Sequence, residues 1–167
     1  MAKRVYTKKG DIYEIRIDET SKRYMQFIGS DWNQLNSDTF RVYKKIYPIE
    51  AAPSLEEIFS DTPDFYVHSY ASGGIKDGLW SLAYRCKDVG DTSGIKFATY
   101  DDLELPEANI YRGWRLWYFS EPVTETSWFH RGDDKPSEWE NADKGGVMPT
   151  SWLYNKIKYG KFTDRVE

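Results

Sequence analysis

Apolar and polar residues alternate along the first part of the chain, which is the pattern of half-buried β-strands. In the segment "DIYEIRID", Tyr13, Ile15 and Ile17 fall on one face of an extended chain. A short polar turn, "ETSK", separates it from "RYMQFIG", and a third alternating segment, "FRVYKKIY", follows. Alternating segments joined by a short polar turn favour a hairpin. The pattern therefore predicts an antiparallel three-strand meander at the N-terminus.

The rest of the chain combines further strand patterns with two short helical ones. "DFYVHSY", "LWSLAYRC" and "IKFATY" are typical of strands, and "ASGGIKDG" and "KDVGDTSG" are typical of turns. Ser54 and Glu57 have capping-box spacing, which predicts a helix over about 54–60. Pro149 and Gly160 bracket a second predicted helix over 150–159. We predict one mainly β (α+β) domain of residues 1–167, built on an antiparallel sheet or a partly open barrel.

The segment "RGWRLWYFS" at 112–120 carries four aromatic residues in nine positions. An extended chain would place Trp114 and Leu116 on one face and Trp117 and Phe119 on the other. A strand that is apolar on both faces is typical of the middle of a sheet, or of a sheet beneath a covering layer. We therefore predict a central strand in which Trp114 and Leu116 are buried.

Residues 121–148 lack periodicity and contain two prolines, three glycines and two tryptophans. A long irregular segment in a compact domain is commonly a functional surface loop, so we expect a partner to bind here. Trp139, flanked by two glutamates, is the better candidate for an exposed anchor, whereas Trp128 has an aromatic neighbour and is at least as well suited to packing on the sheet. The predicted partner-binding residues are Asp101, Asp102, Trp128, Asp133, Asp134, Glu138, Trp139 and Glu140.

The net charge of −4 is unevenly distributed along the chain. Residues 1–50 carry 10 basic and 7 acidic residues (+3), residues 51–143 carry 8 and 18 (−10), and residues 144–167 carry 5 and 2 (+3). An acidic middle segment repels a phosphate backbone and attracts a basic protein. The simpler interpretation is a solvated surface that maintains solubility. We expect a basic protein partner and no nucleic acid.

The length of 167 residues is sufficient for one domain whose core needs no disulfide or metal. Cys86 is the only cysteine, so an intramolecular disulfide cannot form, which suits a reducing compartment. The sequence has no apolar run with the length of a signal peptide core or a membrane span. We therefore expect a soluble cytoplasmic protein that does not associate with a membrane.

The sequence contains no recognisable catalytic, phosphate-binding or metal-binding motif. His68 lies between aromatic residues on a predicted strand and His130 lies in the irregular segment, and neither has metal-ligand spacing. Cys86 is more typical of a small buried residue than of a nucleophile. We expect no enzymatic activity, no cofactor and no metal. The acid pairs at 56–57, 101–102 and 133–134 leave open a small carboxylate-dependent hydrolase.

The N-terminal segment "TKKGDIYEIRIDETSKRYMQFIGSDWNQLNSDTFRVYKK" resembles the opening of immunity protein 26-type proteins of bacterial polymorphic-toxin systems. The resemblance lies in Gly10 to Ile15, a short turn, Tyr24 to Ile28 and a third strand. It implies a non-enzymatic cytoplasmic protein that binds a cognate toxin and covers its active site. The alternatives are a carbohydrate- or ligand-binding β module that uses tryptophan platforms, and the small hydrolase.

Overall fold

The computed structural model describes residues 4–31, 35–119 and 127–164, which form two β-sheets and three α-helices. The strands are β1 Ile12–Arg16, β2 Ser21–Ser30, β3 Asp38–Tyr43, β4 Tyr47–Pro48, β5 Pro63–Ser69, β6 Ser81–Tyr84, β7 Lys96–Asp101, β8 Gly113–Tyr118, β9 Ser127–Arg131 and β10 Asp143–Lys144. The helices are α1 Leu55–Phe59, α2 Ala71–Lys76 and α3 Thr150–Tyr159. Short 3₁₀ turns occur at Pro106–Ala108 and Ser137–Trp139.

Sheet A contains the strands β5-β3-β2-β1-β6 in that order, with β4 paired to one end of β2, and all of its pairs are antiparallel. Sheet B has the order β10-β7-β8-β9, and only the short β10 is parallel to its neighbour. The prediction of a mainly β, antiparallel α+β fold is confirmed. In the described residues the strands form two open sheets and no closed barrel.

The local predictions at the N-terminus and at two helices are confirmed. β1, β2 and β3 are consecutive antiparallel neighbours, as a meander requires. Ser54 accepts a hydrogen bond from the Glu57 N–H, and the Glu57 carboxylate accepts one from the Ser54 N–H, so the capping box begins α1. α3 ends at Gly160, whose φ of +79° is a left-handed conformation that favours glycine.

Helix α2 corrects the prediction of a turn at "ASGGIKDG". Two adjacent glycines favour a turn because glycine is a poor helix former. In the folded chain, however, a Cβ atom at Gly74 would overlap the Trp80 ring, so only glycine allows this close packing. The Trp80 indole also donates a hydrogen bond to the Ala71 carbonyl at 3.1 Å. Tertiary packing therefore overrides the local preference.

Sheet A is covered on both faces. One face packs against α2 and α3, with Met25, Phe40 and Leu153 fully buried between them. The other face is covered by α1 at one end, and by Phe97 and Trp117 of sheet B at the other end. This second contact places sheet B as a separate layer, which is the part of the fold that positions the candidate site.

A buried hydrogen-bonded cluster joins the two sheets. The carboxylate of Asp31, which follows β2, accepts a hydrogen bond from His68 Nε2 at 2.8 Å and another from Trp117 Nε1 at 2.9 Å. All three residues are buried, and the His68 ring centroid lies 4.2 Å from that of Phe97. The cluster contains residues of β5 and β8, so it fixes sheet B against sheet A.

Residues 143–148 make a second connection between the sheets. The Asp143 carboxylate in β10 accepts a hydrogen bond from the Tyr66 N–H in β5 at 3.1 Å, and the Met148 N–H donates to the His68 carbonyl at 2.8 Å. Burial raises the pKa of the Asp143 carboxyl from 3.8 to about 6, and outweighs the opposite effects of the Tyr66 N–H and the Lys156 charge.

Strand β8 lies between β7 and β9, so the prediction of a central strand for "RGWRLWYFS" is confirmed. Leu116 is buried as predicted, and Trp117 is buried on the opposite face. The prediction that Trp114 is buried is wrong, since this side chain is only partly buried. Trp114 precedes Leu116 by two positions and lies nearer the end of sheet B, where β8 begins. None of the helices in the described ranges has the length and hydropathy needed to cross a membrane.

We expect Leu116→Ala to lower the free energy of unfolding by about 2–5 kcal/mol, because it opens a cavity between sheet B and Trp139. Urea unfolding followed by circular dichroism measures this loss. Leu103→Ala is the matched control, because Leu103 is exposed and its truncation should change stability by about 0.5 kcal/mol or less. Equal losses in the two variants would contradict the burial of Leu116.

We expect the stability contributed by Asp143 to fall as the pH rises from 3.8 to about 6. The folded chain holds this proton more tightly than the unfolded chain, so the free energy of unfolding decreases across that range and stays lower above it. Asp143→Asn should be more stable than the parent by about 1–2 kcal/mol at neutral pH, after discounting for partial solvent exposure. Urea unfolding at several pH values checks this, and a difference that does not vary with pH would contradict it.

Candidate functional site

The face of sheet B that points away from sheet A is rich in aromatic side chains. We call it the outer aromatic face, and it consists of Tyr100, Trp114, Tyr118, Trp128 and Trp139. The strand register creates it, because Tyr100 lies opposite Trp114 across β7 and β8, and Trp128 lies opposite Leu116 across β8 and β9. The ring centroids of Trp128 and Trp139 are 5.8 Å apart.

Trp139 is buried, with 7% of its surface exposed, so the expectation that it is an exposed anchor is wrong. The 3₁₀ turn at Ser137–Trp139 points the indole inward onto Ala98 and Leu116, while the flanking Glu138 and Glu140 remain exposed. The Lys96 ammonium donates a hydrogen bond to the Glu138 carbonyl at 2.7 Å and holds the turn in place. Trp139 therefore covers sheet B.

Trp128 is 48% exposed, so of the two positions that the sequence left open for this residue, the exposed one is observed. It lies in β9, an edge strand whose five residues are all exposed, and not in a loop as the aperiodic sequence suggested. Its neighbour Phe129 is 45% exposed on the opposite face. Alternating strand geometry separates the two rings, so they do not pack on each other.

Asp133 is brought against the outer aromatic face by a group of polar contacts. Arg112 Nε lies 2.8 Å from its carboxylate, and the Tyr100 hydroxyl donates a hydrogen bond to the same group. The Trp114 indole donates to the Asp133 carbonyl at 3.0 Å. Lys135 Nζ lies 5.1 Å from the Trp114 ring centroid. These contacts fix the turn after β9 at the end of the sheet.

The opposite face of the same end of sheet B contains a cleft of about 310 Å³. We call it the inner cleft, and it is lined by Asp101, Asn109, Ile110, Tyr111, Arg115 and Phe129. The connection between β7 and β8 forms one wall, and all its residues from Asp102 to Ile110 are exposed. Both faces of this end of sheet B are therefore accessible to a partner.

Acidic side chains outnumber basic ones around this end of sheet B. Asp133 is paired with Arg112, and Glu104 lies 3.9 Å from Arg131. Asp102 and Asp134 are exposed, as is Glu138 on the 3₁₀ turn. The predicted acids thus surround the aromatic residues, but they do not converge on one point. Asp101 lines the inner cleft, while Asp133 lies on the outer aromatic face.

The histidines and the cysteine do not form a catalytic pair. His68 is fully buried against Asp31, Phe97 and Trp117, while the Cys86 thiol donates to the Asp88 carbonyl at 3.5 Å. His130 lies on exposed β9, opposite Trp114. Within residues 4–31, 35–119 and 127–164, no group of three or more His, Cys, Asp or Glu side chains could hold a metal ion.

Four residues of the site were not among the predicted partner-binding residues. Tyr100, Trp114 and Tyr118 lie in segments with strand patterns, which favour burial, whereas Phe129 lies in the aperiodic segment beside Trp128. The signal that could have found them is the double-sided apolar character of "RGWRLWYFS". Such a strand needs a cover on each face, and the 3₁₀ turn with Trp139 covers only part of the outer one.

Comparisons of this chain with protein-family models, with curated proteins and with solved structures find no match.

We expect Trp139→Ala to lower the free energy of unfolding by about 3–5 kcal/mol, because it removes a buried aromatic ring. Trp128→Ala should cost about 1 kcal/mol or less, because the Trp128 side chain is half exposed. Each substitution removes one indole ring, and the two rings are neighbours in the fold, so each variant is the control for the other. Urea unfolding followed by far-ultraviolet circular dichroism checks the pair, and similar losses would contradict these positions.

Proposed function

We propose that this protein is a cytoplasmic, non-catalytic immunity protein, which binds a cognate bacterial toxin through the exposed end of sheet B. The observation that carries the proposal is the exposure of large aromatic side chains on both faces of β9, Trp128 on one and Phe129 on the other. Exposed aromatic residues on a rigid sheet are typical of interface anchors. The resemblance of the N-terminal meander to immunity proteins supports the class of partner.

The charge around these anchors favours a basic partner. Exposed Asp102, Asp134 and Glu138 lie around the aromatic residues and are positioned as the rim of an interface. Acidic rim residues accelerate the encounter with a basic protein, whereas the central aromatic residues control how long the complex lasts. The edge of β9 adds backbone groups that a partner strand can pair with.

The orientation of the rings favours a protein ligand over a sugar. Tyr118 is inclined by 87° to Trp128 and by 52° to Trp139, and the two tryptophans are inclined by 51° to each other. A sugar ring stacks best on a flat aromatic platform, and these rings do not share a plane. A protein surface does not need such a flat platform. The alternative of a carbohydrate-binding module is therefore less well supported.

The test uses the toxin encoded beside the gene of this protein and measures binding kinetics and protection of growth. Trp128→Ala should weaken binding by about 30-fold through faster dissociation, as expected for an interface anchor. Tyr159→Ala is the matched control, because Tyr159 is an exposed aromatic residue on α3. This helix packs on the face of sheet A opposite to the one that contacts sheet B. The control should bind and protect like the parent.

The charge contribution is tested with a variant in which Asp102 and Asp134 are both replaced by Asn. These carboxylates are exposed, so their replacement should leave stability unchanged, slow association and flatten its dependence on salt. Asp133 is left intact because it orders Arg112 and Tyr100. Parent-like kinetics for both the Trp128 and the double Asp variant would place the interface elsewhere and contradict the proposal.

A further inference from the structure

A second concave surface lies on sheet A, next to α1 and beneath the connection that follows β6. It is a groove of about 300 Å³, at the small end of the range for sites that bind small molecules. Its floor is formed by Arg41, Tyr43 and Tyr66. Arg41 and Tyr66 are direct cross-strand partners on β3 and β5, and Tyr43 follows Arg41 on the same face of β3. We call it the Arg41 groove.

The Arg41 guanidinium is a buried positive charge, and its side chain is held by neutral groups. The residue is 8% exposed. Nη1 donates to the Gln26 side-chain oxygen at 3.3 Å and to the Val89 carbonyl at 2.8 Å, and Nη2 donates to the Asp91 carbonyl at 2.9 Å. Nε is buried without a hydrogen-bond partner in the described structure.

No carboxylate of the described residues lies within ion-pair distance of this guanidinium. The Asp91 carboxyl is close enough that, in addition to the larger effect of the hydrogen bonds from Ser93, the Arg41 charge lowers its pKa. Arginine keeps its charge under all ordinary conditions, and a buried charge is normally neutralised by a contacting opposite charge. The floor of the groove therefore favours an anionic group of a ligand. The Tyr43 and Tyr66 hydroxyls are additional polar groups beside the charge.

The mouth of the groove has the opposite charge. Asp61, Asp88 and Asp91 line it, and each carboxylate is held by a backbone N–H at a distance of 2.6–2.8 Å. Phe59 and Pro63 supply an apolar wall. A simple anion would meet repulsion at the mouth, and a simple cation would leave the Arg41 charge with only the compensation that Asp91 gives it from a distance. A ligand that carries both charges satisfies both regions.

We propose that the Arg41 groove binds a small zwitterion of the amino-acid class. Its carboxylate lies at the Arg41 floor, its ammonium faces the aspartates of the mouth, and its apolar part packs against Phe59 and Pro63. This proposal does not rest on toxin binding, since the groove lies on sheet A and the proposed interface lies on sheet B.

Isothermal titration calorimetry of the full chain with three matched probes tests the proposal. L-phenylalanine carries both charges, 3-phenylpropionate lacks the ammonium and 2-phenylethylamine lacks the carboxylate. Phenylalanine should bind, and each of the other two should bind at least about tenfold more weakly. The proposal is overturned if 2-phenylethylamine binds as well as phenylalanine, or if no probe binds at about 10 mM.

Variants locate the binding site. Arg41→Lys keeps the charge but loses the planar fork, so it should reduce the preference for phenylalanine over 2-phenylethylamine without abolishing it. Arg41 also holds the connection after β6, so its replacement can disturb the local structure. Tyr66→Phe is therefore the second variant, because it removes only a hydroxyl group. It should weaken phenylalanine binding about fivefold. Tyr70→Phe, at the exposed tyrosine that immediately precedes α2, is the matched control. Parent-like binding by Tyr66→Phe together with an unchanged preference in a folded Arg41→Lys would overturn the assignment.

Discussion

The arrangement of the two sheets depends on one buried carboxylate. Asp31 accepts hydrogen bonds from His68 on sheet A and from Trp117 on sheet B. A buried carboxylate is unfavourable unless donors surround it, and here the donors come from elements distant in sequence. The loss of Asp31 would leave His68 Nε2 and Trp117 Nε1 buried without this shared acceptor. The cluster therefore specifies where sheet B lies, in addition to contributing to stability.

Because of this anchoring, one end of sheet B is buried against sheet A and the other end is exposed. Phe97 and Trp117 are buried against sheet A at one end, while the strands continue to Asp101 and Gly113 at the other. The 3₁₀ turn with Trp139 covers only the middle of the outer face. The remaining aromatic residues are only partly covered within the described structure, which is why this end of sheet B is the surface that we propose for a partner.

The two candidate sites differ in shape and in charge, and these differences favour different ligands. The end of sheet B is open on both faces, broad and aromatic, and its acids lie at the periphery, as in a protein interface. The Arg41 groove is small, is floored by a buried cation and has acids at its mouth. The first kind of surface suits the partner protein that we propose, and the second suits the proposed small molecule with two charges.

Much of the fold is determined by local sequence patterns. The alternation of Tyr13 and Ile15 predicts the meander, and Ser54 with Glu57 predicts α1, because strand alternation and helix capping depend on residues only a few positions apart. "RGWRLWYFS" likewise predicts a central strand, because its apolar residues occupy both faces.

Only the tertiary structure decided which aromatic residues are covered. Trp139 lies between two glutamates and is buried, whereas Trp128 lies beside Phe129 and is exposed. α2 forms at a pair of glycines because Trp80 packs against Gly74. Arg41, an ordinary strand residue in the sequence, becomes a buried cation beside Tyr66 of another strand. Burial of each of these side chains depends on elements far away along the chain, and local sequence carries no record of which elements meet.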